Sequence, residues 1–198
     1  MVRPSVEDER RPQIMAATRR VMVQRGVSML RVADVAREAG VSPGIVHYYF
    51  ESKDDLIRET FEDNFSSSFE RRSVLWKEDL PADKKLGKLL QSYVPVDEAT
   101  RESWHVWLEL WVGALQDEKL RQLNETAYGE WRRLILDVID QGVAEGVFVA
   151  EGLDAKVNQL LAMIDGLAVQ ALLGSTSITP AAMQELCALF VTDHLAAG

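Results

Sequence analysis

Three tryptophans, Trp104, Trp107 and Trp111, are spaced i, i+3 and i+7, so a helix carrying them shows all three on one face. The negative π face of an indole attracts cations. Tyr93 and Trp131 add aromatic surface from neighbouring segments, and Glu109 and Asp165 set carboxylates into largely apolar runs. Aromatic faces beside carboxylates fit a small organic cation, or an amphipathic molecule with a cationic group. The same spacing also suits an ordinary helical core.

Other chemistry is sparser. Glu102-Ser-Trp-His105 has the E-x-x-H spacing of helical di-iron carboxylate sites. Such a site needs a second copy, and the other histidines, His47 and His194, follow Gly44 and Val191 by three residues. A metal-carboxylate enzyme built on Glu102 and His105 is therefore the contrasting reading. No metal or cofactor is expected. The one cysteine, Cys187, rules out an internal disulfide and fits a reducing cytosol. No run of 18 apolar residues occurs, so no membrane span is expected, and the charged opening MVRPSVEDERRPQ lacks the apolar stretch of a secretion signal.

A second cluster lies between Leu30 and Leu56. Ala36, Gly40 and Val46 have the spacing of a helix-turn-helix: a small residue for close approach, a glycine for positive φ, a buried aliphatic. Ser42 suits the N-cap of the second helix and Pro43 its first position. His47, Tyr48 and Tyr49 then occupy the exposed face, with Lys53 just beyond. Val35 and Val46 should pack between the two helices.

The pattern AxxAGVSxGxxxxYFxxKxxL, from Ala36 to Leu56, resembles the DNA-binding end of TetR-family repressors. GVSPGIVHYYF resembles the choline-responsive BetI-type branch in particular. The resemblance implies a DNA-binding set of Arg31, Ser42, Pro43, Gly44, His47, Tyr48, Tyr49 and Lys53. Arg31 departs from the family habit of a threonine cap there, so that cap should be missing, leaving Arg31 for a phosphate. The stretches WHVWLELWVGALQD and IDGLAVQALL resemble the ligand-sensing domain of BetI-type proteins over residues 100–173. That implies an effector site drawn from Tyr93, Trp104, Trp107, Glu109, Trp111, Trp131 and Asp165.

The elements that must position these groups read as helices throughout. The pattern predicts helices over about 12–25, 33–39, 43–49, from Lys53 past Phe69, 82–93, 100–115, 118–145, 154–173 and from Pro180 onward, with Asp154 and Thr179 as caps. Phe61, Phe65 and Phe69 form an aromatic ridge on the fourth helix. Arginines 10, 11, 19, 20 and 25 lie on or before the first, and one or two near its start are expected on phosphates, because such a helix crosses the DNA backbone. The fold expected is all-α, about nine helices: a three-helix DNA-binding domain, 1–52, and a larger ligand-binding and dimerisation domain, 53–198.

Charge agrees with that division. The chain carries a net −9, yet residues 1–60 hold ten Lys/Arg against nine Asp/Glu. An acidic body with a locally basic tip still binds DNA, because only the contacted phosphates need neutralising. Residues 154–173 are apolar on more than one face. The family resemblance makes the last two helices a four-helix dimer bundle, with Val157, Leu160, Ile164, Leu167, Ala168, Ala171, Met183, Leu186 and Phe190 at its seam. Gly166, mid-helix at a cost of about 1 kcal/mol relative to Ala, suggests close helix approach there or beside the pocket. The expected function is a cytoplasmic, homodimeric regulator that binds a double-stranded DNA operator and answers to a small-molecule effector. A sensor that has lost DNA binding is a further alternative.

Overall fold

The computed structural model describes residues 6–197. Among them the chain forms α1 (Val6–Arg25), α2 (Val32–Glu38), α3 (Pro43–Tyr49), α4 (Lys53–Lys77), α5 (Ala82–Gln91), α6 (Glu98–Ala114), α7 (Glu118–Ala144), α8 (Leu153–Leu172) and α9 (Pro180–Phe190), closed by a π-helical turn, Val191–Leu195. No strand occurs among the described residues beyond one antiparallel bridge, Phe148 to Ala196. The expected all-α architecture is present.

The chain divides into two compact units. The first holds the chain through Ser68 together with His105–Asn124; the second holds Phe69–Trp104 and Glu125 onward. Helices α4, α6 and α7 each contribute residues to both. The expected boundary at 52/53 falls just before α4.

In the first unit α1 packs on α2, and α2 on α3. Helix α1 starts earlier than Pro12, which is accommodated inside it. Gly26, at φ +76°, and Gly40, at φ +66°, end α1 and α2. Arg31 stands at the α2 N-cap with no side-chain capping bond, as its departure from threonine implies. Ser42 Oγ accepts from Ile45 N, with Pro43 at the first position of α3. Ser52 Oγ accepts from Asp55 N at 3.0 Å, and the Asp55 carboxylate accepts from Glu51 N at 3.4 Å, so α4 opens on a capping box shifted back by one residue. Val35, Ala36 and Val46 are buried between the helices.

In the second unit α9 packs on α8 and α5. Its core includes Leu86 and Leu89 of α5, Ile135 and Ile139 of α7, Leu160 and Ile164 of α8, and Met183 of α9. Thr179 caps α9 as expected. Asp154 does not cap α8: the N-cap is Gly152, at φ +67°, and Asp154 sits inside the first turn. The loop after α7 folds back tightly. A Cβ on Gly142 would stand 2.1 Å from the Phe148 ring, so glycine is what lets Phe148 into the core. Val149 N donates to Leu195 O and Ala197 N to Val147 O, both at 2.9 Å, tying the segment after α9 to that loop.

The expected dimer stripe is largely a monomer feature. Val157, Leu160, Ile164, Ala168 and Met183 are buried within the single chain, and Leu167 and Ala171 are half-buried. Helical periodicity found a true apolar stripe but could not say which neighbour covers it. The opposite face of α8 carries Ala155, Ala162, Gly166, Val169 and Leu173, the last 74% exposed. Leu186 and Leu189 of α9 also stand exposed, and Phe190 is half-buried against His194, ring centroids 4.8 Å apart.

Candidate DNA interface and effector site

Helix α3 presents an open surface. Ser42, Pro43, Gly44, Ile45, His47 and Tyr48 are all exposed. Tyr48 is 73% exposed and meets the half-buried Tyr49 edge to face, at 5.1 Å between centroids. Only Val46 points fully inward, which is what a seven-residue helix needs to stay attached. Arg31 is exposed as well. Lys53 is half-buried and lines a cavity of about 540 Å³ with Val27, Ile57, Glu109 and Leu120.

The arginines of α1 are more committed than their sequence positions imply. Arg11 donates to the Tyr49 carbonyl at 3.0 Å, pairs with Glu59 and lies over the Phe50 ring at 4.8 Å. It therefore ties the end of α3 to α1 and α4. Arg19 pairs with Asp63, Arg20 with Glu38, and Arg25 and Arg37 with the buried Asp34. Such pairs contribute at most about 1 kcal/mol each, and those between helices tie α1 to α2 and to α4.

Glu109 is not where the aromatic-face reading needs it. Its Oε2 accepts from Val27 N at 2.7 Å, and its carboxylate lies beneath Gly26, 3.5 Å from where a Cβ would be. A carboxylate in that place satisfies a backbone donor in the turn between α1 and α2. It belongs to the first unit, whereas Tyr93 and Trp131 belong to the second. Trp107, buried, meets Phe65 edge to face at 6.5 Å in the same unit, and Trp111 there is half-buried.

The second unit gathers the remaining aromatics. The Tyr93 and Trp131 rings meet at 5.6 Å and 73°, Phe69 lies 5.4 Å from Trp131, and Trp104 Nε1 donates to the Tyr93 carbonyl at 2.8 Å. Into this cluster α4 sends Arg72. Its guanidinium carbon sits 4.3 Å from the Tyr93 centroid and 5.3 Å from that of Trp131. It donates through Nε to Ser92 Oγ at 2.9 Å and through a terminal nitrogen to the Ser92 carbonyl at 2.8 Å. Arg72 is 5% exposed, and burial pulls its pKa down. Burial pushes the Tyr93 phenol far up, and its Oη has no hydrogen-bond partner among the described residues. Asp165 accepts from the Tyr128 hydroxyl, lies near enough to affect Tyr93 electrostatically, and is pushed up to about 6 by desolvation, the Tyr128 bond opposing.

Of the expected effector residues, Tyr93, Trp104, Trp131 and Asp165 belong to this second-unit cluster; Trp107, Glu109 and Trp111 belong to the first unit. Sequence reading missed Arg72, Tyr128 and the role of Phe69. For Arg72 a signal was present: it follows Phe65 by seven residues and Phe69 by three, which puts a charge on the aromatic ridge. No three His, Cys, Asp or Glu side chains gather in a metal-holding group among the described residues, so the enzyme alternative rests on the Glu102–His105 spacing alone.

Residues 14–60 match the profile of bacterial regulatory proteins of the tetR family, and residues 82–196 match that of the BetI-type transcriptional repressor C-terminal domain. The chain belongs to the TetR family, BetI type. This TetR-family chain is 27% identical over 199 positions to the transcriptional regulator BetI of Escherichia coli, covering 98% of each protein. It is 26% identical to PksA of Bacillus subtilis, over 84% of this chain and 80% of that one. Among solved structures it is similar to a transcriptional regulator from Saccharomonospora viridis in complex with choline, with a TM-score of 0.90, 29% identity and coverage of 96% and 99%. Membership makes this TetR-family protein a DNA-binding transcriptional regulator that responds to an effector, with α2 and α3 as its helix-turn-helix. No described helix is long and apolar enough to cross a membrane.

Proposed function

We propose that this regulator is a cytoplasmic repressor that works as a homodimer and leaves its operator when a small organic cation binds the second unit. The observation that carries the effector class is the aromatic cluster of Tyr93, Trp131 and Phe69, near Trp104 and the Asp165 carboxylate. π faces and a carboxylate together select a positive, weakly hydrated guest over a neutral one. The choline bound by the Saccharomonospora viridis regulator supports the same class.

At the DNA, His47 and Tyr48 read base edges from the exposed face of α3, with Tyr49 positioning them. Ser42, Pro43 and Gly44 bring the helix start to the backbone, and Arg31 and Lys53 neutralise phosphates. Two such helices reach successive major grooves roughly 34–36 Å apart on a near-palindromic site. The dimer seam uses the outward face of α8 and α9, where Gly166 has open space around its Cβ position and Leu173 and Leu189 are exposed.

Duplexes selected from a random pool define the operator. Release is then titrated with choline, tetramethylammonium, polyamines, and neutral or anionic lipophiles. Tight binding confined to the last two classes overturns the effector class and leaves the regulator intact. Gly166→Arg puts an unpaired charge on the seam, so sedimentation should show monomers and operator affinity should collapse. An unchanged dimer excludes that face.

A further inference from the structure

We propose that Arg72 is the resident occupant of the effector cage, and that an organic cation binds by evicting it. This rests on the organic-cation reading above and adds how the site is held when no effector is present.

The guanidinium already occupies the positions such a guest would take. It lies 4.3 Å from one ring centroid and 5.3 Å from the other, inside the range over which a cation gains from an aromatic face. A guanidinium and a quaternary ammonium are both weakly hydrated organic cations, so a cage that stabilises one suits the other. They cannot share it. Two positive charges on the same two rings, in surroundings from which water is largely excluded, repel strongly. A cationic effector therefore replaces Arg72 at Tyr93 and Trp131, and cannot add to it.

A second observation points to a guest. The Tyr93 hydroxyl is buried, 6% of the residue being exposed, and has no hydrogen-bond partner among the described residues. Arg72 fills the π faces and leaves this group unanswered. A cation bearing a hydroxyl or carbonyl arm can meet both.

Eviction has a consequence along the chain. Arg72 belongs to α4, the helix that opens at Lys53 on the capping box following α3. Exchange of the guanidinium for a free cation releases α4 from Tyr93, Trp131 and Ser92 at once. Occupancy by Arg72 also sets the threshold. If the cage stands open in one molecule in about ten, the apparent dissociation constant is about tenfold weaker than the intrinsic one.

The test is calorimetry with tetramethylammonium, choline and methylguanidinium on the full-length protein and on Arg72→Met and Arg72→Ala. Arg72→Met should bind tetramethylammonium, and Arg72→Ala methylguanidinium, each about tenfold more tightly than the unaltered protein does. Equal or weaker cation binding by folded Arg72→Met overturns eviction. So does binding of simple carboxylates that Arg72→Met abolishes, which would make Arg72 an anion receptor. If no cation binds any of the three proteins, the organic-cation reading itself falls. Should both variants fail to fold, the unaltered protein still decides. The Arg72 Nε–H, protected in its bond to Ser92, should exchange faster with solvent at saturating tetramethylammonium, and unchanged protection overturns the proposal.

Discussion

Helix α3 and the aromatic cage, the two surfaces proposed for recognition, are built in opposite ways. The α3 surface comes from one short stretch of chain whose side chains point outward from a single buried anchor, Val46. The cage comes from α4, the turn after α5, α6, α7 and α8, and its groups are mostly buried. An outward surface can change its side chains with little effect on folding. A buried one cannot, because each ring proposed to touch the ligand is also core. The two regions should therefore separate cleanly when stability and binding are measured side by side.

The largest effect should come from Trp131→Ala. It removes a buried ring that meets Phe69, Tyr93 and Arg72, and should cost about 3–5 kcal/mol of stability, read by denaturant unfolding, together with effector binding. Operator binding, measured well below the melting temperature, should survive. If stability is untouched, the cage is not part of the core and the contrast fails.

Tyr48→Ala is the converse. It should weaken specific operator binding by about 1–3 kcal/mol while stability stays within about 0.5 kcal/mol. Equal losses on operator and random duplex would remove Tyr48 from the base-reading set.

Asp165→Asn sharpens the electrostatics of the cage. The folded carboxyl titrates at about 6 in place of the ordinary 3.8. Between those values the folded protein keeps a proton that the unfolded chain has released, so Asp165 makes stability decline as pH rises through that window. The variant should melt higher than the parent at pH 7.5 and no higher at pH 3. Cation affinity should fall in the parent as pH drops through about 6. The variant should bind cations several-fold more weakly at pH 7.5, with that pH dependence gone; a retained dependence would mean another group is the sensor.

The smallest effect belongs to Glu109→Gln. The neutral amide can still accept from Val27 N, so about 1 kcal/mol of stability is expected to go, with cation affinity unchanged. A marked loss of affinity would return Glu109 to the effector set and undo its assignment to the α1–α2 turn.

How much of this was legible in the sequence follows from the same contrast. Gly40, Ser42, Pro43 and Val46 encode α3 within a few residues through local backbone rules, and the structure repeats that reading almost residue for residue. Most helix limits are legible for a like reason, since caps and glycines act locally, but the start of α1 and the cap of α8 are not. The cage was half legible. Residue type points to Tyr93, Trp104, Trp131 and Asp165, but spacing on α6 groups Trp107, Glu109 and Trp111 with them although those three belong to the first unit, because a linear pattern cannot tell which end of a long helix a side chain serves. The stripe on α8 shows the same limit of a linear pattern. Alanine and glycine at 162 and 166 register weakly as apolar, whereas the stronger leucine and isoleucine stripe on α8 belongs to the chain's own core.

Gly142 and Phe148 constrain how the protein can change over generations. Any side chain at 142 collides with the buried ring of Phe148, so a first step at that position is harmful. Shortening residue 148 first opens a hole, and an alanine at 142 could then fill part of it. The two substitutions are tolerable in one order and not in the other. Homologues that carry a side chain at 142 should therefore carry a smaller residue at 148, a coupling that a double-mutant cycle on Gly142→Ala and Phe148→Leu would measure as a clear departure from additivity.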